Sequence, residues 1–178
     1  MIIILAQAFL YHACKDNKNT DKSAIVSNRS GNHEEGKTFI KAAAEGGIME
    51  VELAKVAQKQ ASSPEVKKFA ARMVTDHTRI YNDLKKLATN KHIILPITLD
   101  SNQTAQLNKL QEATGSLFDK KYVGMMVTSH EKAIRNYEIG AANRDPQVNE
   151  FASQKIDTLK TQLHTARSVF NYLVMKGH

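Results

Sequence analysis

The segments "SPEVKKFA" (63–70) and "DPQVNEFA" (145–152) share the pattern Pro-x-Val-x-x-Phe-Ala. Each opens with a residue suited to an N-cap, Ser63 or Asp145, and places proline at the first helical position. There proline's missing N–H costs nothing and its fixed φ suits a helix. Each is followed by apolar residues spaced three and four apart, so both segments predict the start of a long helix. A helical run also ends just before each one, which predicts two tight turns and two helical hairpins.

Working outward, the spacing predicts four helices. The first runs over about 38–60 with Phe39, Ala43, Gly46, Met49, Leu53 and Ala57 on one face. The second runs over about 64–89 through Val66, Phe69, Ala70, Met73, Ile80, Leu84 and Leu87. The third covers about 116–142 through Phe118, Tyr122, Met126, Ala133, Tyr137 and Ala141. The fourth covers about 146–174 through Val148, Phe151, Ala152, Leu159, Leu163, Ala166 and Phe170. About 26 residues separate the second and third helices, with room for a short helix at about 102–113 capped by Ser101. Two hairpins joined by one long crossover predict an all-α, ferritin-like antiparallel four-helix bundle over 38–175.

The pentapeptides "MVTDH" (73–77) and "MVTSH" (126–130) put a histidine one turn after an inward methionine on the second and third helices. Stepping about 100° per residue sets His77 and His130 near the centres of their apolar faces, Glu50 close to that of the first helix, and Gln162 on that of the fourth. Lys155 also falls on the apolar side, Asp76 on a flank and His164 on the outer face. Counted from the turns at about 1.5 Å per residue, these four inward residues lie within about 8 Å of one level. The two histidines are therefore expected to face each other through the core, in a polar cluster of Glu50, His77, His130 and Gln162.

Such a cluster has two readings. A hydrogen-bonded network satisfies the buried groups without metal and needs no cofactor. Alternatively, Glu50, His77 and His130 match a minimal ligand set for one iron, zinc or copper ion in a metal-binding protein or an oxidoreductase, and Met49, Met73 and Met126 would suit copper(I). A di-iron centre is disfavoured, because the Glu-x-x-His pairs it needs are replaced by Val74 and Val127 three residues before each histidine. No catalytic residues are indicated. Ser129 and His130 diverge around a helix, and the "GG" at 46–47 lies inside a helix, where small residues permit close helix approach.

The net charge of +7 and pI of about 9.4 suit anionic surroundings. The basic residues are scattered among acidic ones, however, so nucleic acid is not an expected partner, while a partner-binding module using the basic outer faces stays open, its protein partner unknown. The opening "MIIILAQAFLYHAC" is too short to span a bilayer, which needs roughly 20 apolar residues, but matches the core of a signal peptide. Cys14, the one cysteine, stands where the apolar run stops. It resembles the lipidated cysteine of bacterial lipoproteins, although Tyr11 and His12 depart from the usual residues and no basic residue precedes the run. Residues 1–14 are thus read as a signal peptide and 15–37 as a polar tether. A lipid on Cys14 would make the membrane the partner and place the chain in the bacterial cell envelope, facing the periplasm or on the outer membrane.

The stretches "FIKAAAEGGIMEVELAKVA" (39–57), "VKKFAARMVTDH" (66–77), "FDKKYVGMMVTSHEKAI" (118–134) and "LKTQLHTA" (159–166) together resemble the DUF4142 family, over about residues 38–174. The resemblance implies a ferritin-like bundle and an envelope location, with no established activity, and puts Glu50, His77 and His130 on recurring Glu and His positions. The family's pattern carries a histidine where this chain has Gln162 and a proline where it has Asp157. Glutamine is a poor transition-metal ligand, so a site built on three histidines would be weakened here.

Overall fold

The structure is a computed structural model describing the backbone of residues 18–177 and the side chains of residues 33–177. The apolar run 1–14, including Cys14, lies outside the described residues. Those described form five helices and no strand: α1 Lys18–Gln60, α2 Pro64–Asn90, α3 Ser101–Gln111, α4 Gly115–Ala141 and α5 Pro146–Met175. None is long and apolar enough to cross a membrane.

α1 packs on α2 and α4, and α5 packs on α4 and α2, so each long helix has two principal neighbours. Contacts along the helices show the sense of packing. Phe39, midway along α1, meets Tyr137, late in α4, edge to face at 5.2 Å between ring centres, and Glu50, further along α1, meets Ser129, earlier in α4. Lys91, just past α2, pairs with Asp145, just before α5. Neighbouring helices therefore run in opposite directions, and the result is a helical bundle. The crossover is fastened at two points: the Tyr81 hydroxyl donates to the Pro96 carbonyl at 2.9 Å, and the Gln103 amide donates to the Glu45 carbonyl at 2.9 Å.

Several local expectations change. α1 begins at Lys18, well before residue 38, so most of the stretch read as a tether is helical. Its polar, asparagine- and serine-rich sequence has no apolar stripe to announce a helix, yet no proline interrupts it. Bundle contacts also start before 38: Gly36 is buried, and a Cβ there would lie 3.4 Å from Val148. Ser63 occupies the N-cap of α2 but makes no side-chain cap, its hydroxyl donating instead to Glu65. The cap of α3 is Asp100, in a capping box with Gln103, and Ser101 is the first helical residue. Asp145 caps α5 as expected, accepting from the amides of Gln147 and Val148.

The glycine pair does not bring helices together. A Cβ on Gly46 or Gly47 would meet nothing within 4 Å, whereas one on Gly140 would fall 2.7 Å from the Phe39 ring and 2.9 Å from the Ala152 Cβ. Gly140 is the close approach, and it lets the Phe39 ring lie against the backbone of α4.

Two apolar cores fill the bundle. One gathers Leu53, Phe69, Met73, Phe118, Tyr122 and Met126; the other gathers Phe39, Ile80, Leu84, Tyr137, Phe151 and Leu159. Glu50, His77, His130 and Gln162 are buried at intervening positions on the four long helices and belong to neither core. A polar layer thus divides the apolar interior.

Candidate functional site

Each of the four long helices contributes one residue to this layer: Glu50 from α1, His77 from α2, His130 from α4 and Gln162 from α5. All four are 3% exposed or less. Their convergence follows from sequence. Each sits at an inward helical position, and the Pro-started hairpins set matching heights on either side of each turn. His77 and His130 meet edge to face, 5.3 Å apart and 84° between ring planes, as the paired pentapeptides predict.

Glu50 is the hub. Its Oε2 lies 2.9 Å from His77 Nδ1. Its Oε1 accepts from the Ser129 hydroxyl at 2.6 Å and lies 3.4 Å from His130 Nδ1. Burial works to raise the Glu50 carboxyl, but the two imidazoles and the Ser129 hydroxyl outweigh it and hold its pKa at about 2. Burial likewise works to lower His77, and the Glu50 charge beside it wins, leaving that ring raised above the ordinary histidine range. The carboxylate and the His77 ring stabilise each other's charged forms in a place where neither would be tolerated alone.

His130 Nδ1 also lies 2.9 Å from the Met126 carbonyl one turn back, and His130 Nε2 lies 3.3 Å from Gln162 Oε1. The Gln162 amide nitrogen donates in turn to Asp76 Oδ2 at 3.2 Å, and Asp76 Oδ1 receives Arg79 at 3.1 Å. The network therefore runs from a buried carboxylate through His130 and Gln162 to a partly exposed one on the flank of α2, with His77 branching from Glu50. Two buried polar atoms among the described residues have no hydrogen-bond partner: His77 Nε2 and the Tyr122 hydroxyl. One ligand atom from each of Glu50, His77 and His130 can be chosen so that all three lie within 4.8 Å of one another.

A cavity of about 670 Å³ reaches the cluster from the side of α3. Its walls include Gly46, Gly47, Glu50, His77, Ser129 and Gln103. The missing side chains of the two glycines leave part of that space open, which is the role the structure gives them. His164 is exposed on the outer face, as expected, and takes no part. Lys155 pairs with Asp83 at 2.8 Å and lies over the Phe151 ring, away from the cluster.

Sequence reasoning missed two carboxylates. Asp119, 1% exposed, accepts from the amides of Ser62 at 3.0 Å and Ser63 at 2.7 Å and from the Ser62 hydroxyl. It thereby secures the α1–α2 turn that Ser63 leaves uncapped. Its neighbour Phe118 marks the apolar face of α4, but nothing local shows that a turn of another hairpin lies opposite. Asp76 was placed correctly on a flank, yet its link to Gln162 depends on how α2 and α5 meet.

The chain matches the family described as a domain of unknown function (DUF4142) over residues 22–169, and it belongs to that family. No protein of curated function matches it. Solved structures with a similar fold include a DUF305 fragment from Deinococcus radiodurans, at a TM-score of 0.69 and 12% identity, covering 78% of this chain and 96% of that one. Another is a conserved hypothetical protein from Mycobacterium tuberculosis, at a TM-score of 0.61 and 8% identity, covering 79% of this chain and 93% of that one. At such identities the likeness is one of fold and carries no function.

Proposed function

We propose that this DUF4142 member is a ferritin-like bundle, held at the bacterial envelope through a lipid on Cys14, that binds a single transition-metal ion at the Glu50–His77–His130 cluster. The observation that carries the metal reading is the convergence of two buried imidazoles and a carboxylate with one imidazole nitrogen, His77 Nε2, left unpartnered. A purely structural network gains nothing by stranding a buried nitrogen, at a cost of about 1–3 kcal/mol. A bound cation removes that cost. Two imidazoles with oxygen donors suit iron(II), zinc or copper(II) rather than magnesium or calcium. The envelope location is supported by the apolar run ending at Cys14.

Metal content decides the reading. The full chain, purified without chelator or affinity histidines, is expected to carry one equivalent of metal by mass spectrometry, and the His77→Ala/His130→Ala variant none. Metal-free wild type that takes up no iron, zinc or copper on addition would reduce the cluster to core architecture.

A further inference from the structure

The cluster has two sides, and they differ in what is left to bind. On the carboxylate side every group is engaged. Glu50 Oε2 faces His77 Nδ1, Oε1 takes the Ser129 hydroxyl and faces His130 Nδ1, and His130 Nδ1 also faces the Met126 carbonyl. A ring nitrogen set among acceptors carries a proton, so each ring keeps one on Nδ1, and Nε2 is the nitrogen free to exchange a proton for a cation. The cavity reaches the cluster at Glu50 and His77, where no carboxylate oxygen is unclaimed.

The Nε2 side is the reverse. His77 Nε2 has no partner. His130 Nε2 lies 3.3 Å from the oxygen of Gln162, not its nitrogen, because that nitrogen is committed to Asp76. Gln162 interacts with His77 as well. With both Nδ1 atoms turned toward Glu50, the two Nε2 atoms and an amide oxygen share one buried region. Donor atoms so arranged are held together by a proton or by a metal cation lying among them.

We infer, building on the metal reading above, that the ion is held on this side. His77 Nε2, His130 Nε2 and Gln162 Oε1 are its ligands, and Glu50 is not a ligand but the carboxylate that orients both rings from behind. This is the carboxylate–histidine–metal arrangement, in which the outer carboxylate fixes tautomer and ring angle and raises ligand basicity. Asp76 positions Gln162. Its side chain is 22% exposed, so it also supplies negative charge at the solvent edge of the site, between α2 and α5.

Cobalt(II) titration of the full chain, followed by its visible absorption, tests the placement, with circular dichroism confirming that each variant folds. In Glu50→Gln the nitrogen-ligated spectrum is expected to persist while affinity falls about 10- to 100-fold, the usual effect of an outer-shell change. Gln162→Glu is expected to tighten binding by about tenfold or more, because a neutral oxygen ligand becomes anionic. If Glu50→Gln abolishes the spectrum while Gln162→Glu and Gln162→Leu leave affinity unchanged, the ion sits on the carboxylate side: this placement falls and the metal reading stands. If the wild-type chain binds no cobalt(II), both fall. Should Glu50→Gln fail to fold, the two Gln162 variants decide alone.

Discussion

Replacing Glu50 with leucine in the metal-free protein tests the hub directly. The substitution nearly conserves volume but strands the His77 Nδ1 donor, 2.9 Å from the lost oxygen, and the Ser129 hydroxyl, 2.6 Å from it. At about 1–3 kcal/mol for each of the two stranded groups, or about 3–5 kcal/mol for breaking a buried ion pair, the two routes overlap at about 3–5 kcal/mol. His77→Leu is expected to cost a similar amount by leaving the Glu50 carboxylate buried with less to balance it. The double replacement removes both partners together, so its cost should fall short of the sum by about 2 kcal/mol or more. Urea unfolding followed by helical circular dichroism, with chelator present, gives all four corners of the cycle. Thermal midpoints should fall by roughly 6–20 °C for each single variant, at about 2–4 °C per kcal/mol in a chain of this size. Single variants within about 0.5 kcal/mol of wild type, or a cycle that adds without coupling, would refute the description of Glu50 and His77 as a buried, mutually dependent pair.

Two further outcomes follow from carboxylates outside the cluster. Asp119→Ala removes the acceptor for two turn amides and a hydroxyl and is expected to cost about 3 kcal/mol, read as a shift in the urea midpoint with the slope unchanged. Asp145 is worked upward by burial, but Lys91 and the amides of Val148 and Gln147 together hold its carboxyl below the ordinary aspartate range. A depressed carboxyl stabilises the fold fully above its unfolded pKa, near about 4, and that stability is lost as pH falls through the lower folded value. Asp145→Asn should therefore lower the thermal midpoint at neutral pH and flatten its decline on the acid side, whereas parallel curves for both proteins would contradict the assignment.

How much of this was legible beforehand depended on whether the decisive geometry lay within one helix or between helices. Proline at the start of α2 and α5, and apolar spacing along all four long helices, are local signals, and the elements they mark are present, with α1 alone starting earlier than expected. Glu50, His77, His130 and Gln162 were readable because an inward azimuth and a height above a turn are both countable along the chain. Asp119, Ser129 and Gly140 were not, since their roles depend on a partner helix: the uncapped turn at 62–63, the Glu50 carboxylate and the Phe39 ring. The glycine pair misled for the same reason, because a helical glycine looks alike in sequence whether a ring or a cavity lies against it. The early start of α1 was hidden by polar composition, which removes the periodicity on which the reading relied.

The polar layer also bears on the order in which the molecule comes together. α1 with α2 brings Glu50 to His77, and α4 with α5 brings His130 to Gln162, so each hairpin carries half of the layer through contacts local in sequence. Only when the hairpins meet do the histidines of α2 and α4 face each other, and only then do Ser129 and Glu50, and Gln162 and Asp76, find one another. The layer crosses the join between the two hairpins, with an apolar core above and another below. An ion seated in that layer would act as a clasp. Held at about a thousand times its dissociation constant, it would add about 4 kcal/mol to the cost of pulling the halves apart, while leaving each hairpin's own turn and cap to fray as before.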